Sequence, residues 1–336
     1  MTASNDSAII QVRDLVKVYG DDTRAVDGIS FAVLPGELFG FLGPNGAGKT
    51  TTIRILATLL RQTEGQAWVA GFDVAKQPDE VRRSLGLAQQ TPALDAFSTG
   101  RESLELAGIL HRMPRPEVRR RADELLELMG LTSVGGKLTG TYSGGMKRRI
   151  DLASALMHRP PVLILDERTE GLDPQSRTAL WEELERISQA GTTMLLTTHY
   201  MEEADRLCNR LAIIDNGQIV VDGAPDELKR SVGADTVVLQ LASSNGDLDS
   251  MRTKVRQLLE GMVPPDAVSP HPEGVSLSVP NASATVPALL RRLDGDGIPI
   301  AGLQMSQPSL DSVFLKYTGR HIREEAADQP ITLGWQ

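Results

Sequence analysis

Apolar and polar positions along this chain change period from two to about 3.6 and back, and each change marks an element. Over 8–36 the period is two. Ile9, Gln11, Arg13 and the run Leu15 to Tyr19 predict a strand, Gly20-Asp21-Asp22 a turn, and Ile29 to Val33 a second strand. Glu37 to Leu42 is a short apolar run that predicts a strand, and Ile53, Leu56, Ala57 and Leu60 then recur at helical spacing. Residues 79–87 predict a helix start and a strand, ending at Gln89-Gln90. Residues 100–130 predict two helices, the second with Val118, Ala122, Leu125, Leu126 and Met129 on one face and a stop at Gly130. Ile150, Ala153, Ala155 and Leu156 mark a further helix face. Val162 to Leu165 is continuously apolar and ends in Asp166-Glu167, as a strand buried on both faces of a parallel sheet does. Leu180, Leu184 and Ile187 predict a helix closed by Gly191. Met194 to Leu196 then begins a strand followed by His199, and Asn216-Gly217 predicts a tight hairpin. Strand alternating with helix is the α/β pattern.

The pattern changes near 230–236. Beyond it the order is β-α-β-β-α-β: strand 236–242, helix 248–261, strands near 266–270 and 274–279, helix 284–294, strand 299–305. That order matches a small ferredoxin-like α+β unit. A last amphipathic helix at 309–318 carries Leu310, Val313, Phe314 and Tyr317 on one face. The polar tail after Gly319 is expected to be poorly ordered. The expected domains are therefore 8–232, with a helical segment at about 91–141, and 236–320, followed by the tail 321–336.

Composition narrows the classes. The 336 residues suffice for two domains, and 40% hydrophobic with 24% charged residues is ordinary for a globular chain. No run reaches the roughly 18–20 uncharged apolar residues of a spanning helix, and Met1 to Ser7 lacks the apolar centre of a secretory signal. Cys208 is the only cysteine, which excludes an internal disulfide and suits the cytosol. A net charge of −9 argues against a general nucleic-acid surface, and the basic runs Arg119–Arg121 and Lys147–Arg149 read as solvated helix faces.

Chemistry concentrates at residues 43–50, Gly43-Pro44-Asn45-Gly46-Ala47-Gly48-Lys49-Thr50, the G-x-x-x-x-G-K-[ST] phosphate loop. Its glycines let successive N–H groups turn inward around phosphates at the mouth of a helix. Lys49 adds a charge at the β/γ-phosphates, and Thr50 offers a hydroxyl to Mg²⁺, with Thr51 next in line. Asp166, at a strand end, can hold Mg²⁺, and Glu167 can polarise an attacking water. Tyr142-Ser143-Gly144-Gly145-Met146 opens a helix that Ser143 can cap, giving a second anion-binding helix end in a chain with one phosphate loop. His199 ends a strand beside the site, where a γ-phosphate or water contact is expected. His111, His158, His271 and His321 carry no such context.

In combination these segments resemble the ATP-binding subunits of ABC transporters over about residues 8–230. GPNGAGKT is similar to Walker A, YSGGM to the ABC signature, VLILDE to Walker B with its glutamate, GLDP at 171–174 to the D-loop with Asp173, and His199 to the switch histidine. Gln90 falls at the Q-loop glutamine, and Tyr19 where an aromatic would stack on adenine. AVDGISF, GPNGAGKTTTIR, TYSGGMKRRIDLA and PSLDSVFLKYTGR are similar to the daunorubicin-resistance (DrrA-type) exporter ATPases. The resemblance implies a P-loop ABC fold with a mixed sheet, an antiparallel β subdomain and a helical subdomain, plus the small C-terminal domain. It implies ATP and Mg²⁺ as cofactors, with Thr50, Gln90 and Asp166 on the metal side. It also implies a head-to-tail dimer in which the phosphate loop of one copy meets Ser143 to Gly145 of the other. A polytopic membrane permease at the cytoplasmic face would be the partner, met through 91–141.

Two positions depart from the family's usual pattern. Arg168 stands where proline usually follows the glutamate, and Glu170 where a small or polar residue is common. Arg168 is expected to pair with Glu167, lower its pKa and weaken it as a base. The alternative function is a non-transport ATPase acting on nucleic acid or on macromolecular assembly, but 91–141 is too short for the coiled coil of the repair relatives. Homodimer and heterodimer both remain open. A glycan-binding role for the C-terminal domain fits its β-α-β pattern poorly, and a dimer-stabilising or regulatory role is favoured.

Overall fold

The computed structural model describes residues 7–20, 22–242 and 248–319. The expected tail at 321–336 and Met1 to Asp6 lie outside the described residues. Among the described residues two compact units emerge, one reaching Pro225 and including Tyr317–Gly319, the other Asp226–Lys316.

The first unit begins with β1 (Ile10–Val18) and β2 (Arg24–Val33), then β3 (Leu38–Leu42) and α1 (Lys49–Leu56). A hairpin of β4 (Glu64–Val69) and β5 (Phe72–Asp73) follows, then α2 (Pro78–Ser84) and β6 (Leu85–Ala88). Next come α3 (Gly100–Leu110), α4 (Arg115–Leu128), α5 (Gly144–Ala155), β7 (Val162–Asp166) and α6 (Pro174–Gln189). β8 (Thr193–Thr198), α7 (Met201–Leu207), β9 (Arg210–Asp215) and β10 (Gln218–Gly223) complete it. The antiparallel sheet runs β2-β1-β4-β5, and the mixed sheet β10-β9-β3-β8-β7-β6. In the mixed sheet β9, β3, β8, β7 and β6 are parallel and only β10 is antiparallel. β3, β7 and β8 are buried at every position, β3 and β7 as largely apolar runs and β8 with Thr193, Thr197 and Thr198 buried beside its apolar centre.

One core joins the two sheets around α1. Ile10, Leu15 and Val33 of the antiparallel sheet share it with Phe39, Phe41, Ile164 and Leu195 of the mixed sheet and with Ile53 and Leu56 of α1. Phe31 stacks on Phe39 at 5.6 Å between ring centres and meets Phe41 edge-on at 4.8 Å. Because the core grips α1 from behind, its N-terminus faces outward at the C-terminal ends of β3, β7 and β8. Ligands bind at that edge of an open α/β sheet.

The second unit holds all but the first residue of α8 (Pro225–Val232), then β11 (Asp235–Leu241), α9 (Leu248–Leu258), β12 (Val268–His271), β13 (Gly274–Val279), α10 (Ala282–Gly295), β14 (Ile300–Ser306) and α11 (Leu310–Thr318) up to Lys316. Its sheet order β12-β13-β11-β14 is antiparallel throughout, the ferredoxin-like arrangement. Val237, Leu239 and Leu277 of the sheet pack on Val255 of α9 and on Leu289 and Leu293 of α10.

Candidate active site

The loop between β3 and α1 is built by glycine. Gly46 and Gly48 take φ of 82° and 106°. A Cβ at Gly43 would stand 2.2 Å from Ile214 O, and one at Gly48 would stand 2.5 Å from Ala25 O. The loop is thus pressed onto β9 and β2 and cannot relax backward. Asn45 and Gly46 are exposed, while Pro44 and Ala47 are buried. Lys49 is 4% exposed, and its ammonium donates to Gly43 O at 2.7 Å and Pro44 O at 2.9 Å. It also forms an ion pair with Glu167 Oε1 at 3.1 Å. The loop therefore curls around its own cation.

Asp166 and Glu167 end β7. Thr197 of β8, the register partner of Asp166, donates to Asp166 Oδ1 at 2.7 Å, and its Oγ1 accepts from Glu167 N at 3.2 Å. Thr50 donates to the same Oδ1 at 3.3 Å. A hydroxyl and a carboxylate so juxtaposed are hard oxygen donors suited to Mg²⁺. Burial pushes the Asp166 carboxyl up, and the neighbouring Glu167 charge adds to this against the hydroxyl bonds. Burial also acts to raise Glu167, but the His199 ring and the Lys49 ammonium outweigh it, so that carboxyl lies below the usual glutamate value. Environments that drive adjacent carboxyls apart assign different tasks to each.

His199 Nδ1 stands 3.8 Å from Glu167 Oε1, beyond hydrogen-bond reach, and its ring lies 4.1 Å from that of Tyr200. Tyr19 is 38% exposed, its hydroxyl contacts Thr51 Oγ1 at 3.4 Å, and Lys17 Nζ lies over its ring, 5.4 Å from the centre. Ser143 caps α5 by accepting from Met146 N at 3.3 Å, and Ser143 and Gly144 are exposed. A Cβ on Gly145 would meet Ser176 Oγ at 3.2 Å. Asp173 caps α6 through Ser176 N at 3.0 Å, and this bond holds its carboxyl below the usual aspartate value.

One expectation is overturned. Arg168 does not pair with Glu167. Glu167 takes φ of 46°, and the chain turns so that Arg168 points into the protein, 1% exposed. There it forms an ion pair with Asp151 Oδ2 at 2.8 Å and donates to Arg148 O at 2.7 Å and to Gln89 O. The lowered pKa of Glu167 comes instead from its two other neighbours, His199 and Lys49. Gln90, expected on the metal side, has its Nε2 donating to Glu170 Oε2.

The sequence reading missed Thr197, which binds both acids. The signal was a threonine pair before the histidine, legible only once β8 is known to lie beside β7. It also missed Glu203, fully buried on α7, which accepts from Thr169 Oγ1 at 3.0 Å and Trp181 Nε1 at 3.1 Å. Burial pushes the Glu203 carboxyl up.

The ABC transporter family matches residues 26–170, and the C-terminal domain of DrrA1-3-like ATP-binding proteins matches 223–318. The chain is 41% identical over 324 residues to the daunorubicin resistance ATP-binding protein DrrA2 of Streptomyces coeruleorubidus, covering 96% of this chain and 99% of that one. This chain belongs to the DrrA-type ABC transporter ATP-binding proteins. It is an ATP-hydrolysing subunit of an ABC transporter. Among solved structures, the ATP-binding subunit of an ABC transporter superposes with a TM-score of 0.60 at 31% identity, covering 66% of this chain and 92% of that one. An ATP-binding cassette dimer with bound ADP and Pi, in a post-hydrolysis state, gives 0.59 at 25% identity, covering 64% and 98%.

Proposed function

We propose that two copies of this chain close head to tail on two Mg²⁺–ATP molecules and drive export of a drug-like or lipophilic compound through a polytopic permease at the cytoplasmic face of the membrane. One observation carries this reading. The chain offers two outward helix N-termini for anions, the Lys49 loop on α1 and the Ser143–Gly145 start of α5, whose Ser143 and Gly144 are exposed. A single nucleotide bridging two copies uses both. The drug-resistance names of the relatives support the export reading.

In this reading Lys49 and the amides of Gly43 to Thr50 hold the phosphates. Thr50, Asp166 and Gln90 serve Mg²⁺, which neutralises charge on the β- and γ-phosphates when bound. Glu167 orients and deprotonates water, its turn fixed by Thr197. His199 faces the γ-phosphate end, Tyr19 stacks on the base, and Asp173 lies at the dimer seam. The permease docks on the helical segment, where Phe97, Ile109 and Leu110 are 87%, 54% and 73% exposed. The second unit, about 236–320, stabilises or regulates the dimer.

The test is recovery of a polytopic membrane protein with the affinity-tagged chain from membranes of its own cell. The permease co-purifies with wild type and is lost with Phe97→Asp plus Leu110→Asp, while ATP binding persists. Recovery of nucleic acid or a soluble assembly with no permease would overturn the transport reading.

A further inference from the structure

The two departures at 168 and 170 grip two consecutive residues of one loop. Residues 89–99 connect β6 to α3. At the start of that loop Arg168 Nη1 donates to Gln89 O, and Gln90 Nε2 donates to Glu170 Oε2. Three residues on, Ala93 N donates to Asp151 Oδ1 at 3.3 Å, and Asp151 is the carboxylate paired with Arg168. The grip is built on a fixed base. Glu170 N donates to Glu167 O at 3.3 Å, which closes the turn. Thr169 between them is fully buried and tied to Glu203. Arg148 Nη1 returns a bond to Arg168 O at 2.7 Å. Buried guanidinium donors with carbonyl and carboxylate acceptors form a preorganised contact.

The chemistry of the Gln90–Glu170 pair has a direction. An ionised carboxylate only accepts, so the end of the Gln90 amide facing Glu170 must be its NH₂. The other end, Oε1, is then the free one, and oxygen is what Mg²⁺ takes. We propose that Arg168 and Glu170 are positioning residues for Gln90, Arg168 fastening its backbone and Glu170 holding its amide so that Oε1 is presented to the metal of the bound nucleotide. This rests on the reading of Gln90 as a metal-side residue. Partners that orient metal ligands from behind change metal affinity by 10–100-fold when removed.

The experiment uses the full-length chain with Mn²⁺ as the metal probe and a non-hydrolysable ATP analogue at saturation, free Mn²⁺ being read by electron paramagnetic resonance. Analogue affinity in chelator is measured beside it. Glu170→Ala weakens Mn²⁺ binding about tenfold or more and leaves metal-free analogue affinity unchanged. Glu170→Gln weakens it less, because an amide can face Gln90 either way round. Gln90→Glu combined with Glu170→Gln restores it, since the donor and acceptor have been exchanged and an oxygen still faces the metal. Arg168→Lys, which keeps the charge against Asp151 but loses the planar fork, weakens Mn²⁺ in the same direction. If Glu170→Ala leaves Mn²⁺ affinity unchanged while Gln90→Ala lowers it, the positioning role is wrong and the reading of Gln90 stands. If Gln90→Ala also leaves it unchanged, the reading of Gln90 fails, and the proposal with it.

Discussion

Glu167→Gln has opposite effects on the empty and the nucleotide-bound protein, and both follow from one contact. Lys49 Nζ and Glu167 Oε1 are 3.1 Å apart, with side chains 3% and 10% exposed. At an effective dielectric near 20 that attraction is about 5 kcal/mol before desolvation. The amide keeps the shape and accepts a hydrogen bond from the ammonium, worth about 3 kcal/mol at the upper end for a charged donor. Lys49 also keeps its two loop carbonyls. The remaining loss is about 2 kcal/mol, below the 3–5 kcal/mol of stripping a buried charge outright. The nucleotide-free variant then melts about 4–8 °C lower. For ATP the sign reverses. A γ-phosphate must displace Glu167 from Lys49 and sit beside its negative charge, and the amide removes both costs. Affinity for ATP rises by about 1–2 kcal/mol, roughly five- to thirtyfold. Turnover falls by about 10²–10⁴ because the base is gone. Scanning calorimetry of the nucleotide-free protein and titration calorimetry with ATP measure the two halves. An unchanged melting point together with weaker ATP binding would refute the argument that Lys49 is held by Glu167 until phosphate arrives.

A Cβ at Gly40 on β3 would lie 2.5 Å from Cys208 Sγ. Gly40→Ala is expected to cost about 1–3 kcal/mol in urea unfolding, and Gly40→Ala with Cys208→Ala recovers most of it; simple additivity would show that the sulfur is not the obstacle. His158 stacks on His111 at 3.6 Å between ring centres, and burial and the His111 charge push its pKa down to about 4. The unfolded chain binds that proton near the ordinary value of about 6.5, so the stability is complete above it and is lost as pH falls toward about 4. The acid loss is at most about 3 kcal/mol, and a pH series of unfolding curves for wild type and His158→Gln should differ only in that window.

Much of this fold was legible because its buried strands are unbroken apolar runs. Val162 to Leu165 and Glu37 to Leu42 announce themselves, and the glycines of 43–50 place a phosphate loop between one of them and a helix. The β4–β5 hairpin was silent. Its buried positions in β4 are only Ala67 and Val69, set among exposed Glu64 and Gln66 and half-exposed Gly65 and Trp68, and β5 has two residues. α8 was silent too, although Pro225-Asp226-Glu227 is an ordinary helix start.

At the site, sequence adjacency was the misleading signal. Arg168 follows Glu167, and two opposite charges one bond apart invite pairing. The left-handed backbone at Glu167 instead sends the acid toward Lys49 and the base toward α5, so neighbours in sequence serve opposite sides of the turn. Each then finds a partner that no spacing rule supplies. Lys49 lies on a helix after a different strand. Asp151 lies on α5, before β7. Thr197 meets Asp166 only because β8 runs parallel beside β7 in that register. Motif reading therefore names the candidate residues, whereas the departures from the motif acquire meaning only from contacts across the fold. Arg168, which looked like a threat to Glu167, grips the loop of Gln90 together with Glu170 instead, and the acidity of Glu167 is set by His199 and Lys49.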